Sequence, residues 1–262
     1  TISALESELG CRLFVRSKRG LELTKEGELL YGYASSAFNQ LLKGEEELNQ
    51  VTSLDRGTIY ISATVTALRT FLFDAINAFQ GKYPNVRIKI STGSTGDSIK
   101  KLDEGSSDIA FVSTPYPVSD DHTVTKLNSF SDVLIAGNRY KYLEDKVITS
   151  EDVHHYPFIS LRKGMKLREY LDEIFLAKGI EFHPDIEADG ADIIVDTVKA
   201  NLGLGFVPYS LAEAPLNNHE VIALKHDLPL KERSIVMITS NTHSRSNASR
   251  QFVKMIKEKI FK

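Results

Sequence analysis

The chain has 262 residues, of which 42% are hydrophobic and 26% charged, and its formal net charge is −3. This composition is ordinary for a globular protein of one large domain or two smaller ones, and the charge argues against a protein whose whole surface binds nucleic acid, although it allows a local basic patch. The single cysteine, Cys11, excludes an internal disulfide framework, and no apolar run approaches the roughly 20 residues of a membrane span, so we expect a cytoplasmic protein with no membrane partner.

The chain opens inside an amphipathic helix. Ile2, Leu5 and Leu9 stand at three- and four-residue spacing, and Gly10 is a typical residue to end a helix. No capping residue precedes Thr1, so we expect further residues upstream of it.

A small hairpin follows. Leu13–Arg16 and Leu21–Leu23 read as two short strands, joined by a turn that carries Lys18 and Arg19. A helix followed by a hairpin with a basic tip is the shape of a winged helix, whose tip can lie along a phosphate backbone. Taken alone, a Lys-Arg pair in a tight turn more often belongs to a solvated loop.

A long helix is predicted next, from Thr24 as its cap to about Thr52. Its apolar positions alternate four and three apart, which is typical of a coiled-coil seam between two chains: Leu30, Ala34, Ala37, Leu41, Gly44, Leu48 and Val51. The alternative is a helix that packs on the core of its own chain. Residues 53–57 read as a hinge into the next domain.

From Gly57 the pattern changes to alternating strands and helices, typical of parallel sheets with helical crossovers. Predicted strands cover 58–63, 86–90, 108–112, 133–136, 158–161, 203–208, 221–224 and 234–238. Predicted helices cover 67–82, a short segment before Gly105, a stripe over 167–175, 192–200, and a final segment with Phe252 and Ile256. We expect the final helix to pack on the first lobe, and the strands near 132–137 and 233–239 to form the hinge between lobes.

The order of residues in the opening segment adds a specific resemblance. Leu5-Glu6, Leu9-Gly10, Leu13-Phe14, Arg16, Leu23-Thr24 and Gly27 stand at the spacing L-E-x2-L-G-x2-L-F-x-R-x6-L-T-x2-G. This resembles the LysR-type transcriptional regulators from the middle of their recognition helix onward. Three further segments resemble the effector domain of that family: Phe79 to Val86, Gly105 to Ala110, and Asn201 to Pro208.

The resemblance implies an α/β fold class. Its parts are a partial winged helix (1–27), a long linker helix and hinge (28–56), and an effector-binding domain (57–262). The last part would form two Rossmann-like lobes of the periplasmic-binding-protein type II, with a cleft between them: lobe I (57–131 and 234–262) and lobe II (132–233). The implied partners are promoter DNA, a small-molecule effector, and further copies of the chain in a homodimer or homotetramer.

For DNA, the resemblance implies that Thr1 and Ser3 lie near the major groove and that Arg16, Lys18 and Arg19 belong to the wing. The family's first helix and the start of its recognition helix have no counterpart in this sequence. Surface positions without DNA contact are the alternative for Thr1 and Ser3.

For the effector, ligands of open α/β sheets lie beyond the carboxyl ends of strands. Hydroxyls and helix N-termini at those ends favour an anion, so we expect a small anionic metabolite. The candidate effector residues are Thr64, Val65, Thr66, Gly93, Ser94, Thr95, Ser113, Ser160, Leu161, Arg162, Val207 and Pro208. The alternative is that the Ser and Thr residues only cap helices.

The sequence offers little for catalysis. His154 and His155 are adjacent and lack the spacing of helical metal ligands, and Asp189, Asp192 and Asp196 suit a helix N-terminus better than a metal. We therefore expect no enzyme, no metal and no cofactor. Two rival classes remain at this stage: a solute-binding protein of the same fold, and an enzyme on that fold.

Overall fold

The computed structural model describes residues 1–17, 20–48, 57–117 and 119–260. Its head consists of α1 (Ile2–Leu9) and an antiparallel hairpin of β1 (Phe14–Ser17) and β2 (Gly20–Leu23). Gly10 ends α1 in the left-handed conformation, at φ 68°, as predicted. The Glu6 carboxylate accepts hydrogen bonds from the backbone N–H groups of Leu13 (2.7 Å) and Phe14 (3.2 Å), so the helix is tied to the start of the hairpin.

A single long helix, α2 (Lys25–Leu48), follows the hairpin. Thr24 caps it as predicted, because its hydroxyl oxygen accepts a hydrogen bond from Gly27 N at 2.9 Å. The predicted continuation to Thr52, the seam position Val51 and hinge residues 53–56 lie outside the described residues.

Lobe I is built on a five-stranded sheet in the order β4-β3-β5-β13-β6. Its strands are β3 (Gly57–Ala63), β4 (Val86–Thr92), β5 (Ile109–Ser113), β6 (His122–Phe130) and β13 (Arg233–Ser240). Its helices are α3 (Val65–Ala67), which continues through a π-helical turn (Leu68–Leu72) into α4 (Phe73–Lys82), α5 (Thr95–Asp103) and α9 (Asn247–Ile260). The first three strands pair in parallel, as the strand-helix alternation predicts.

Lobe II is built on a six-stranded sheet in the order β10-β9-β11-β7-β12-β8. The strands are β7 (Asp132–Gly137), β8 (Val147–Ile148), β9 (Phe158–Leu161), β10 (Ile186–Ala188), β11 (Leu204–Pro208) and β12 (Val221–His226). The helices are α6 (Lys166–Leu176), α7 (Ala191–Lys199) and α8 (Tyr209–Asn217), with 3-10 helices at Asn138–Leu143 and Ser150–His154.

Each lobe has its own apolar core. In lobe I, α9 returns to pack on the first sheet as predicted: the rings of Phe252 and Phe79 lie 5.0 Å apart. In lobe II, Phe175 and Phe182 stack at 4.5 Å within a separate cluster. Each lobe is thus packed around its own cluster of buried residues, and Val65 of α3 also packs against the cluster of lobe II.

The predicted hinge strands need a correction. β7 lies wholly in the sheet of lobe II, between β11 and β12, and β13 lies wholly in the sheet of lobe I, between β5 and β6. The chain crosses between lobes in the short connections at the ends of these strands, through Ser131 and through residues 227–232. Hydrogen bonding to neighbours on both sides commits each strand to one sheet.

Among the described residues, none of the helices is both long and apolar enough to span a membrane.

Candidate functional site

A cavity of about 520 Å³, including its open mouth, lies between the two lobes. Lobe I contributes three chain segments that follow the carboxyl ends of β3, β4 and β5, and lobe II contributes the starts of α6 and α7 together with the end of β9. Its lining residues are Thr64, Val65, Thr66, Gly93, Ser94, Thr95, Ser113, Leu161, Met165, Lys166, Leu167, Asp189, Gly190, Ala191 and Arg233.

Four helix N-termini open onto this cavity. They are the starts of α3, α5, α6 and α7, whose first residues or caps are Thr64, Thr95, Lys166 and Gly190. The first N–H groups of a helix have no partner within it, and the helix dipole places partial positive charge there. The arrangement therefore presents backbone donors and positive potential from both lobes to one small volume.

The two lobes cap their helices differently. On lobe I, Thr64 accepts from Ala67 N at 3.2 Å, and Ser94 and Asp97 form a reciprocal capping box. On lobe II, the starts of α6 and α7 have no side-chain cap at Met165 and Gly190. The lobe II N-termini thus keep more of their donors available to a ligand.

Asp97 places a negative charge at the start of α5. Hydrogen bonds from the Ser94 side chain and backbone hold the pKa of its carboxyl below the usual value, and the positive charge of Arg162 across the cleft acts in the same direction. Asp97 itself is not among the cavity-lining residues. Its carboxylate accepts hydrogen bonds from Ser94 N at 3.1 Å and from Ser94 Oγ at 2.6 Å and so completes the cap of α5.

Three charged side chains line the cavity, and each has a partner. Lys166 Nζ lies 2.7 Å from Glu169, Asp189 pairs with Arg162, and Arg233 pairs with Asp132 at 3.0 Å. Glu169 lies outside the lining, so the Lys166 ammonium can turn between this exposed partner and a ligand in the cavity.

The structure brings together eight of the twelve predicted effector residues. The cavity is lined by Thr64, Val65, Thr66, Gly93, Ser94, Thr95, Ser113 and Leu161. Ser94 and Thr64 also cap their helices, so these two residues both cap a helix and line the cavity.

The other four predicted residues, Ser160, Arg162, Val207 and Pro208, do not line the cavity. Side chains alternate along a strand, so Ser160 lies on the side of β9 opposite to Leu161. Val207 is fully buried and pairs with β7, and Pro208 closes the same strand pairing. The Arg162 guanidinium is engaged by Asp189 at the rim.

Sequence reasoning missed seven lining residues: Met165, Lys166, Leu167, Asp189, Gly190, Ala191 and Arg233. Six of them belong to the starts of α6 and α7 in lobe II. Gly190 just before a helical stripe was a signal for an uncapped helix start facing a ligand.

In the head, Thr1 and Ser3 are exposed at the start of α1, and Arg16 is exposed on β1. The structure therefore leaves all three side chains available at the surface. Lys18 and Arg19, predicted at the tip of the wing, lie outside the described residues.

The long helix α2 touches its own lobe I through polar groups. Asn39 donates to the Glu104 carbonyl at 3.1 Å, and the Ser244 hydroxyl donates to Gln40 at 3.3 Å. The predicted seam faces elsewhere: Ala34, Ala37, Leu41 and Gly44 are exposed, Leu41 by 73%, while Leu30 is half-buried. The apolar stripe is thus left uncovered by the described residues of its own chain.

Within the described ranges, no cluster of three or more His, Cys, Asp or Glu residues could hold a metal ion.

Comparison with known proteins identifies the class. The family model "LysR substrate binding domain" matches residues 52–260, and the model "Bacterial regulatory helix-turn-helix protein, lysR family" matches residues 1–28. The chain therefore belongs to the LysR family of transcriptional regulators, as its opening motif predicts. A match to a DNA-binding model disfavours the solute-binding protein, and relatives named as regulators disfavour the enzyme.

Individual relatives and solved structures are also similar to this chain, and the structures share its fold. The chain is 27% identical to the HTH-type transcriptional regulator AlsR of Bacillus subtilis over 93% of its own length and 80% of that protein. The fold of full-length CbnR complexed with its target DNA superposes with a TM-score of 0.63 at 17% identity, covering 98% of this chain and 86% of that chain. The effector-binding domain of QuiR in complex with shikimate superposes with a TM-score of 0.68 at 19% identity, covering 79% and 98%.

Proposed function

We propose that this regulator senses a small anionic metabolite in the cavity between its lobes. The observation that carries the proposal is the convergence of four helix N-termini, two without side-chain caps, on one cavity. The hydroxyls of Thr66, Thr95 and Ser113 supply orienting hydrogen bonds, and Lys166 supplies a mobile positive charge.

In this proposal, effector binding shifts the relative position of the lobes, since the anion bridges donors from both. A ligand changes such an equilibrium by its differential affinity for the two arrangements. The change passes through α2 to the head, where Thr1, Ser3, Arg16, Lys18 and Arg19 contact promoter DNA. Of the twelve residues predicted from the sequence, the eight that line the cavity are the effector contacts we propose.

We further propose a cytoplasmic homodimer through the exposed seam of α2, assembled into a homotetramer. A helix of this length gains little stability on its own, and an apolar stripe repeating at four and three residues is buried best against a second helix. The proposed domain limits are 1–27, 28–56 and 57–262.

A thermal-shift panel of small carboxylates, amino-acid derivatives and oxyanions tests the ligand class. We expect at least one anion to raise the midpoint of unfolding, because it binds only the folded chain. Stabilisation by apolar or cationic compounds alone would refute the proposal.

A matched pair of variants tests the site. Lys166→Gln removes the one cavity-lining ammonium and should weaken the most stabilising anion by about tenfold. Lys163→Gln removes the same charge three residues away, outside the lining, and should change its affinity by less than about twofold. Equal losses in both variants would point to general electrostatic screening instead of a site.

A further inference from the structure

A second concave site lies on lobe I, outside the cleft. It encloses about 520 Å³, including the open solvent at its mouth, and is lined by Arg245, Arg250, Val253, Lys254, Lys257 and Glu258. None of these residues lines the cavity between the lobes. We refer to this site as the α9 groove.

The α9 groove is positively charged, whereas the chain as a whole carries a net negative charge. Four cations and one carboxylate line the groove, on a protein whose formal net charge is −3. The carboxylate, Glu258, faces Lys254 at 3.9 Å. In the part of the chain that the structure describes, the other three cations form no ion pair.

The two arginines are the unusual members. Within the described ranges, the Arg250 side chain donates only to the neutral amide oxygen of Asn247. Arg245 is half-buried, and among the described residues it has no hydrogen-bond or ion-pair partner. Burial, followed by the positive charge of Arg250, lowers the pKa of Arg245 below its usual value, and the negative charge of Asp108 offsets this only in part.

The backbone N–H groups at the start of α9 are not what would bind an anion in the groove. Ser246 caps this helix by accepting a hydrogen bond from Ser249 N at 3.1 Å, and none of residues 246–248, where the helix begins, lines the groove. Binding in the groove therefore depends on the side chains. A half-buried guanidinium beside a second guanidinium costs free energy unless an anion joins them.

We propose that the α9 groove binds a small phosphate-bearing compound with two or more negative charges. Guanidinium groups match phosphate oxygens in paired hydrogen bonds, and a dianion neutralises both arginines where a single carboxylate neutralises one. The groove's volume suits a small metabolite, and its buried floor at Val253 gives the non-phosphate part an apolar contact.

The groove adjoins the contact between α2 and lobe I. Arg245 follows Ser244, whose hydroxyl bonds to Gln40 of α2. An anion that draws Arg245 into the groove acts on the residue next to this contact. The site thus gives a phosphate compound access to the linker helix without use of the cleft, and it does not depend on what the cleft binds.

The test uses the 262-residue chain and inorganic pyrophosphate as the probe. Titration calorimetry, with phosphorus NMR of the bound probe as a second readout, is run against sodium chloride at equal ionic strength. We expect saturable binding, and about a tenfold or greater loss in each of Arg245→Gln and Arg250→Gln. Arg139→Gln, which removes an exposed arginine of lobe II, is the matched control and should change affinity by less than about twofold.

Folding is monitored separately. Because Arg245 is an uncompensated half-buried cation, Arg245→Gln should unfold at the same temperature as wild type or higher when no probe is present, while it loses binding.

Absence of saturable pyrophosphate binding overturns the proposal, and so does an equal loss of affinity in Arg139→Gln. Retention of pyrophosphate affinity by both groove variants, with loss of affinity for a non-specific DNA duplex, would assign the groove to DNA backbone and also overturn it. Lys166→Gln should bind pyrophosphate normally, which separates a failure of this site from a failure of the cleft.

Discussion

At the residue scale, one buried ion pair joins the two lobes where the chain crosses between them. Arg233 begins β13 of lobe I and Asp132 begins β7 of lobe II, and Nη1 of the arginine lies 3.0 Å from both carboxylate oxygens. Their side chains are only 6% and 1% exposed. Arg233 also donates to the Thr114 carbonyl and to Ser113 Oγ, so the same guanidinium orients a hydroxyl of the cavity.

Arg233→Met should lower the free energy of unfolding by about 3–5 kcal/mol, because it leaves the Asp132 carboxylate buried without its partner. Urea unfolding of both proteins measures the difference. The double variant Arg233→Met with Asp132→Leu should recover a large part of the loss, since apolar side chains can replace a buried pair. A single variant as stable as wild type would show that this pair does not hold the crossing together.

At the element scale, α2 meets the hairpin at Gly27. A Cβ added there would lie 2.0 Å from the Leu13 carbonyl oxygen, whereas one added at Gly32, further along the same helix, would meet nothing within 4 Å. Leu13 O already accepts a hydrogen bond from Thr24 N at 2.9 Å. The glycine therefore sets how closely the helix approaches the wing.

Gly27→Ala should destabilise the head, because either the helix or the strand must move away, whereas Gly32→Ala should stabilise the helix by about 0.5–1 kcal/mol. Hydrogen exchange of the amides of residues 13–17 and 20–24 reports on the head directly. Protection that is unchanged in Gly27→Ala would contradict the close approach.

The exposed seam of α2 leads to a prediction about the oligomeric state. Leu41→Lys should convert dimers to monomers, because it places a charge in an apolar interface between helices. Leu29→Lys is the matched control, since Leu29 is also exposed, by 64%, but lies outside the seam. Light scattering gives the mass of each, and a dimer that survives Leu41→Lys would place the interface elsewhere.

Elements with strong local patterns were predictable from the sequence. Continuous apolar runs predicted β5 and β13, and the helical stripe with its Tyr83-Pro84 break predicted α4 and its end. β6 was missed because it is an edge strand in which only the last residue, Phe130, is buried, so it has no apolar run. α8 was missed because Pro215 stands inside it, and proline normally argues against a helix interior.

At the scale of the whole molecule, the cleft forms where two separately folded lobes bring helix N-termini together. The lobe I side was predictable, because the carboxyl ends of parallel strands lie at one edge of a sheet. The lobe II side was not, because its lining comes from the starts of α6 and α7, and their approach depends on tertiary packing. Within a strand, the alternation of side chains determines which of two neighbouring residues lines the cavity: Leu161 does and Ser160 does not.

The lobes also touch away from the cavity. The hydroxyls of Thr70, in the π-helical turn of lobe I, and Ser210, in α8 of lobe II, lie 2.6 Å apart. The Arg233–Asp132 pair and this contact are two polar connections between the lobes. Under the proposed function, an anion that bridges the lobes would act on these two connections as well.

Hydrogen–deuterium exchange tests the cleft most directly, with and without the anion that stabilises the chain most in the thermal-shift panel. A ligand held by four helix N-termini should slow exchange of backbone amides in residues 64–67, 94–97, 165–168 and 190–193, and more in the two lobe II segments, whose helices lack side-chain caps. Slowed exchange elsewhere, with these four segments unchanged, would contradict an anion site between the lobes.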